Sequence, residues 1–174
     1  MHFRIFQALL QRKLPTIHAS MIDVYTSYKD SPATSPCACT TVKKLSRILG
    51  RTYDSALASS GINVTQFAVM RCISRHGGEP LARVADELEM DRTSLYRAIA
   101  PMERDGWIEL ATGINARSRS ARVTRKGAQA LARAAVEWDR LQHNLIKTFG
   151  KAEWGRMAAE LHRLGECAAK LTTA

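Results

Sequence analysis

Cysteine is scarce in this chain, and unpatterned where it occurs. Four thiols in 174 residues, Cys37, Cys39, Cys72 and Cys167, are too few and too irregularly spaced for the disulfide framework of a secreted module, so a reducing cytoplasm is the expected compartment. Long apolar runs are missing as well. Met1 to Leu14 sets Phe3, Phe6, Leu9 and Leu10 near one side with Arg4, Arg12 and Lys13 about them, which suits a short amphipathic helix. That stretch is too short, and too interrupted by Gln7 and Gln11, to span a bilayer or serve as an export leader, so no membrane partner is expected. There is no glycine-rich phosphate loop, no carboxylate or Ser-His-Asp arrangement in a recognisable context, and no dense cluster of metal ligands. His2, His18, His76, His143 and His162 are scattered. These absences argue against an enzyme, and no cofactor is expected. Cys72 and His76 stand at i and i+4 and could be joined by Cys37 or Cys39 around a metal. Two ligands at helical spacing are common by chance, so no metal site is assigned from the sequence.

Negative charge is also in deficit. Sixteen acidic against 26 basic side chains leave a net charge of +10, which favours a polyanionic partner. The excess is localised: residues 79 to 90 are net negative, whereas residues 91 to 126 hold eight basic and four acidic side chains. In the acidic part, Leu81, Val84, Ala85 and Leu88 fall at i, i+3, i+4 and i+7, one apolar stripe on a helix that Pro80 is expected to open at its first helical position. After a turn around Glu89 and Met90, Asp91 is a good N-cap for a second helix. Leu95, Ile99 and Met102 give it a buried stripe and leave Arg92, Thr93, Ser94, Tyr96, Arg97 and Ala100 outside. Two helices so tightly joined suit helix-turn-helix packing. Arginine near the start of such a second helix can grip guanine with two hydrogen bonds, and Arg97, then Arg92, are the first candidates. Pro101 is expected to bend this helix, and Gly106 to end it.

Trp107 to Thr112 then reads as a strand, with Ala121 to Thr124 returning antiparallel to it. Between them lies the loop from Gly113 to Ser120. From Arg117 to Lys126 there are five basic residues and no acidic one, which suits the focused negative potential of a narrow minor groove.

Leu81 to Gly127 resembles the winged helix-turn-helix of the MarR family. The likeness is carried by Met90-Asp91-Arg92-Thr93-Ser94-Leu95, then Met102-Glu103-Arg104-Asp105-Gly106-Trp107-Ile108, then Val123-Thr124-Arg125-Lys126-Gly127, within a match over roughly Cys37 to Leu171. The resemblance implies a mainly α fold with a small β-hairpin wing, assembled as an interleaved helical homodimer, with a recognition helix at residues 91 to 105. It also implies a wing whose Asp-x-Arg signature, here Asn115-Ala116-Arg117, carries an arginine into the minor groove. Arg117 inherits that role. Asn115 stands where the family has Asp, so the salt bridge that orients the arginine in the family is lost and only an amide oxygen is left to do that work, and Tyr96 stands where the family often has Thr. The candidate DNA contacts are therefore Arg92, Thr93, Ser94, Tyr96, Arg97, Asn115, Arg117, Arg119 and Arg122.

The rest of the chain fits around this head. Residues 1–36, with the linker composition Asp30-Ser31-Pro32-Ala33-Thr34-Ser35-Pro36, are expected to be a disordered or loosely attached extension, and Met21 is an alternative start. Residues 37–174 are expected to form the MarR-like domain. Within it, residues 37–60 and 125–172 are dimerisation helices and residues 61–124 the DNA-binding part. The helical patterns are expected to break at Gly61, His76-Gly77-Gly78 and Gly150, and Thr65 to cap the helix carrying Phe67, Val69, Met70 and Ile73. The expected function is a sequence-specific double-stranded DNA-binding transcriptional regulator on a pseudo-palindromic operator, a repressor by family habit. Its release is expected through a small aromatic or phenolic effector near Arg47, Tyr53 and Trp138, or through oxidation of Cys37 or Cys39, thiols at a helix start where the dipole favours reactivity. The alternatives are a winged-helix protein-interaction module without DNA binding, which salt would distinguish, and a metal-sensing regulator.

Overall fold

The computed structural model describes residues 37–112 and 119–172. The expectations for residues 1–36, including the start at Met21, and those for Asn115 and Arg117 lie outside the described residues. The chain divides into two units, residues 1–45 and residues 46–174. Of the first, Cys37 and the opening turns of helix α1 (Ala38–Leu57) are described. Everything that follows concerns the second unit unless Cys37 to Leu45 are named.

A short 3-10 turn, Ala58–Ser60, closes α1 at Gly61, whose φ of 75° is the left-handed conformation that glycine adopts without steric cost. Helix α2 (Val64–Arg75) is capped by Asn63 and not by Thr65. Asn63 takes the cap because Gln66 stands three residues on. The Asn63 Oδ1 accepts from the Gln66 amide at 2.9 Å, and the Gln66 Oε1 accepts from the Asn63 amide at 3.0 Å. The next free amide, of Val64, donates to Asp54 Oδ1 at 2.7 Å, which joins the start of α2 to α1. Helix α3 (Leu81–Glu87) is preceded by Pro80, which sits at the N-cap, one place before the expected first helical position. Its ψ of 139° is extended, and Pro80 bridges to Ser120 of the hairpin. That bridge holds Pro80 out of the helix.

Helix α4 (Arg92–Arg104) runs through Pro101 and closes at Asp105, with Gly106 at φ 71°. The Gly106 amide donates to the Glu103 carbonyl and the Trp107 amide to the Met102 carbonyl, at 2.9 and 2.8 Å. Trp107 is therefore part of the helix closure, and the strand expected from residue 107 begins one residue later: β1 is Ile108–Thr112. Its partner β2 is Arg119–Val123, pairing Ile108 with Val123 and Thr112 with Arg119. Arg119 and Ser120, expected in the loop, are strand residues. Thr124, expected in the strand, instead caps the long helix α5 (Arg125–Phe149). Gly150, at φ 106°, separates α5 from α6 (Lys151–Thr172), where the sequence pattern breaks. Among the described residues the fold is thus six helices and one two-stranded antiparallel hairpin, the mainly α winged architecture that the family resemblance implies.

The core explains why the pieces hold. Leu57, Phe67, Met70 and Ile73 meet Leu81, Val84, Leu95, Ile99, Met102 and Ile108 in one buried cluster, each large side chain contributing about 1.5–3 kcal/mol. Ala130 and Ala134 admit α5 to this cluster at close range. No described residue of α6 is buried. No helix among the described residues is long and apolar enough to cross a membrane.

Candidate nucleic-acid interface

Four residues make the turn from α3 to α4. Glu89 adopts a φ of 49°, a left-handed conformation that costs an ordinary residue about 1–2 kcal/mol. Its amide donates to the Asp86 carbonyl at 3.2 Å, and the Met90 amide to the Ala85 carbonyl at 2.9 Å, so the turn is held from both sides. Asp91 then caps α4: one carboxylate oxygen accepts from the Ser94 amide at 2.9 Å, the other from the Ser94 hydroxyl at 2.6 Å. These Ser94 donors hold the Asp91 carboxyl below the ordinary carboxylate range.

A depressed folded-state value means that the cap stabilises fully above the unfolded value of about 3.9 and loses its effect as pH falls through the folded value. Asparagine caps without titrating. The difference in melting temperature between wild type and Asp91→Asn is therefore expected to shrink or invert as the pH drops below about 3.9, measured by circular dichroism. A constant difference down to pH 2 would remove the charge from this account.

Beyond the cap, the buried stripe of α4 is Leu95, Ile99 and Met102. Arg92, Thr93, Arg97 and Ala100 are exposed on the far side, and among the described residues no carboxylate is paired to either arginine. Ser94 is half-buried with its hydroxyl proton directed to Asp91, which leaves the oxygen as an acceptor. Tyr96 is half-buried too, its ring packed against the core. Arg97 and Ser94 share a concavity with Thr65 and Gln66 from the start of α2. The sequence patterning did not single out Thr65 for this place, since neighbours across two helices leave no periodic mark.

On the hairpin, Arg119 and Arg122 are both exposed, and Arg122 pairs in register with Glu109, an exposed carboxylate on the opposite strand. Asn115 and Arg117 lie outside the described residues. The acidity of α3 is partly neutralised: Glu79 pairs with Arg83 at 2.8 Å, and Glu87 is shared by Arg75 and His76.

The root of the wing is bolted to the end of α4. The Thr124 hydroxyl donates to the Gly106 carbonyl at 2.7 Å while accepting from the Gly127 amide at 3.0 Å. Lys126 Nζ donates to the Asp105 carbonyl at 2.8 Å, and the Thr124 amide to the Trp107 carbonyl at 3.0 Å. Gly127 lies so close to Trp107 that a Cβ there would stand 1.9 Å from the Trp107 carbonyl oxygen. Within the Val123-Thr124-Arg125-Lys126-Gly127 motif, Thr124, Lys126 and Gly127 thus make a fastening, and their residue types follow from these contacts.

A second concavity, of about 480 Å³, opens between α2 and α5 and is lined by Phe67, Arg71, Ser74, Leu131, Ala135 and Trp138 among others. The Arg71 guanidinium lies 4.8 Å from the Trp138 ring centre and 5.4 Å from that of Phe67. The Tyr53 ring is 6.4 Å from Trp138, and its hydroxyl donates to Gln142. Of the expected trio, the structure brings Tyr53 and Trp138 together. Arg47 is not among the residues lining this cavity, and its cation is Arg71, one turn on from Phe67.

Cys37, immediately before α1, is exposed. The Thr40 hydroxyl and amide hold its thiol below the ordinary range, with Lys43 adding to the effect. Cys39 is exposed as well. Burial, with Glu87 beside it, pushes the Cys72 thiol up.

Comparison with known proteins agrees with this geometry. The MarR family model matches residues 62–110. The structure of the M. tuberculosis transcriptional regulator MosR in complex with DNA is 32% identical with a TM-score of 0.71, covering 78% of this chain and 98% of that one. The S. aureus MepR–DNA complex, at 14% identity, covers 76% of this chain and 96% of its own with a TM-score of 0.65. PcaV of Streptomyces coelicolor with its natural ligand, at 16% identity and a TM-score of 0.65, covers 78% and 99%; at this identity, as with MepR, the likeness is one of fold. A comparison with curated protein sequences finds no match. At 32% identity over 78% of this chain and 98% of MosR, with the family model matching residues 62–110, the chain belongs to the MarR family of winged helix-turn-helix transcriptional regulators.

Proposed function

We propose that the protein is a homodimeric repressor that binds a pseudo-palindromic double-stranded DNA operator and releases it when Cys37 is oxidised. The observation that carries the DNA-binding part is the open face of α4, where Arg92, Thr93, Arg97 and Ala100 are exposed over a fully buried stripe. MosR, 32% identical, has been solved with DNA. Arg97 and Arg92 are assigned to base edges, Thr93 and Ser94 to phosphates, Tyr96 to packing beside them, and Arg119 and Arg122, with Asn115 and Arg117, to the backbone and minor groove. Dimerisation is supported by apolar side chains that the single chain leaves uncovered: Val42, Leu45 and Ile48 on α1, and Leu161, Leu164 and Leu171 on α6. A two-fold dimer would offer two copies of α4 to successive major grooves about 34–36 Å apart.

For the switch, peroxide converts the Cys37 thiolate to a sulfenic acid, expelling hydroxide, and the Cys39 thiol then displaces water to form a disulfide. Cys37 precedes α1, its carbonyl accepting from the Thr41 amide at 2.9 Å, and Cys39 lies in the first turn, so closing a bond between residues two apart requires that opening turn to unwind. A second reading is favoured by the cavity at Arg71, whose cation over two aromatic faces suits an aromatic carboxylate.

One experiment tests both. Genomic fragments retained by the protein define the operator, and fluorescence anisotropy on that duplex is then followed with peroxide or with a panel of aromatic carboxylates. Peroxide is expected to weaken binding by the wild type at least about tenfold and to leave Cys37→Ser unmoved, an effect equivalent to about 1.4 kcal/mol. Equal release of both proteins would end the redox reading, and carboxylate-driven release that Arg71→Ala abolishes would put the second in its place. Affinity that ignores salt on every duplex would end the DNA reading itself.

A further inference from the structure

We propose that Cys72, His76 and Glu87 form a binding site for a divalent cation of zinc type, joining the end of α2 to the end of α3 behind the DNA-facing helix. The sulfur, one imidazole nitrogen and one carboxylate oxygen all lie within 4.8 Å of one another. His76 Nε2 and Glu87 Oε2 are 2.7 Å apart. Tetrahedral zinc with its usual bond lengths separates sulfur, nitrogen and oxygen ligands by about 3.3–3.6 Å, so closure asks for side-chain shifts of about an ångström. Cys72 lies in the last turn of α2, His76 is the C-cap of that helix with its amide bonded to the Cys72 carbonyl, and Glu87 is the last residue of α3. Three ligands of three different chemistries, from two helices, thus converge at one point.

The surroundings are those of a ligand set. An ion pair between Glu87 and its cations would be complete without sulfur, yet the Cys72 side chain is fully buried directly against it. Arg75 holds the second oxygen of Glu87, which orients the first toward the site. With Nε2 bound to metal, His76 Nδ1 would carry the proton, and Glu79 Oε1, now 4.0 Å away, would have to close by about an ångström to become the carboxylate partner that metal-bound histidines commonly have. His76 and Glu87 side chains are 22% and 35% exposed, so water can reach the fourth position. Binding a divalent ion exchanges the Cys72 thiol proton for the metal and releases it to solvent. Thiolate, imidazole and carboxylate together suit zinc, and cobalt as its spectroscopic substitute, over magnesium or calcium.

The test uses the full chain with the three exposed cysteines removed (Cys37→Ser, Cys39→Ser, Cys167→Ser), so that Cys72 is the remaining thiol. Titration with Co²⁺ is expected to give one equivalent of a thiolate-to-cobalt charge-transfer band with tetrahedral visible bands, both abolished by Zn²⁺. In the same background, His76→Gln and Glu87→Gln are each expected to lower Co²⁺ affinity at least about tenfold, and Cys72→Ser to remove the charge-transfer band. Zn²⁺ should also raise the melting temperature of the background protein and leave that of His76→Gln unchanged. No charge-transfer band in a natively folded background protein, or undiminished affinity in His76→Gln, overturns the site. Because His76 lies outside the core, that second outcome decides the matter even where Cys72→Ser fails to fold.

Discussion

Gly127→Ala is expected to cost about 3 kcal/mol or more of folding stability, lowering the melting temperature by roughly 6–12 °C. The added carbon would stand 1.9 Å from the Trp107 carbonyl oxygen, 2.8 Å from its carbonyl carbon and 3.0 Å from its Cα. All three are backbone atoms at the point where α4 closes and β1 begins, so no side-chain rotation relieves the clash. Moving α5 away would strain the Thr124 bonds to Gly106 and Trp107 and the Lys126 bond to Asp105. Gly77→Ala is the matched control: its methyl would meet the Ile73 carbonyl at an ordinary 3.7 Å, and a change within about 0.5 kcal/mol is expected. Urea unfolding of the three proteins gives the comparison. A Gly127→Ala midpoint indistinguishable from that of Gly77→Ala would show that the first turn of α5 can draw back from Trp107 freely, and the fastening would lose its meaning.

Arg97→Ala is expected to weaken operator binding by about 1–3 kcal/mol, roughly 5- to 150-fold, and to relax the preference at one base position. Arg97 is exposed on the first two turns of α4, while the nearby acidic groups Glu79 and Glu87 are engaged with Arg83, Arg75 and His76. Loss of a base contact and loss of a phosphate contact separate cleanly: the former lowers affinity for the operator far more than for an unrelated duplex, the latter lowers both and flattens the salt dependence. Selection of randomised operators by wild type and variant shows the relaxed position directly. Identical selected sequences and a parallel fall on both duplexes would move Arg97 from base reading to backbone contact.

Much of this is legible in the sequence, for identifiable reasons. The stripes Leu81-Val84-Ala85 and Leu95-Ile99-Met102 are periodic, and periodicity survives into burial. Asp91 and Gly150 are local punctuation, and each marks a real helix boundary. The discrepancies all involve atoms distant in sequence or reciprocal between neighbours. Thr65 lost the cap to Asn63 because a cap is a two-residue bargain with Gln66. Pro80 stays outside its helix because Ser120, forty residues on, holds it. Trp107 and Thr124 leave the strands because both serve helix termini. The same limit governs the sites: Cys72 and His76 share one helical pattern, whereas Glu87 reaches them only through the packing of α3 on α2. Arg71 likewise gains its aromatic faces only when Trp138 arrives from α5.

The bolted junction between α4, β1 and α5 has a mechanical corollary. Helix α5 has 25 residues and is therefore about 37 Å long. With its first turn clamped to the Asp105-to-Trp107 corner, the end of α4 and the root of the hairpin are tied to it and would follow its tilt. A tilt of only about 5° displaces the opposite end of such an arm by about 3 Å, on the scale of one base-pair rise. If α4 reads DNA as proposed above, a nudge to the distal part of this helix would reach the groove as a misfit of that size.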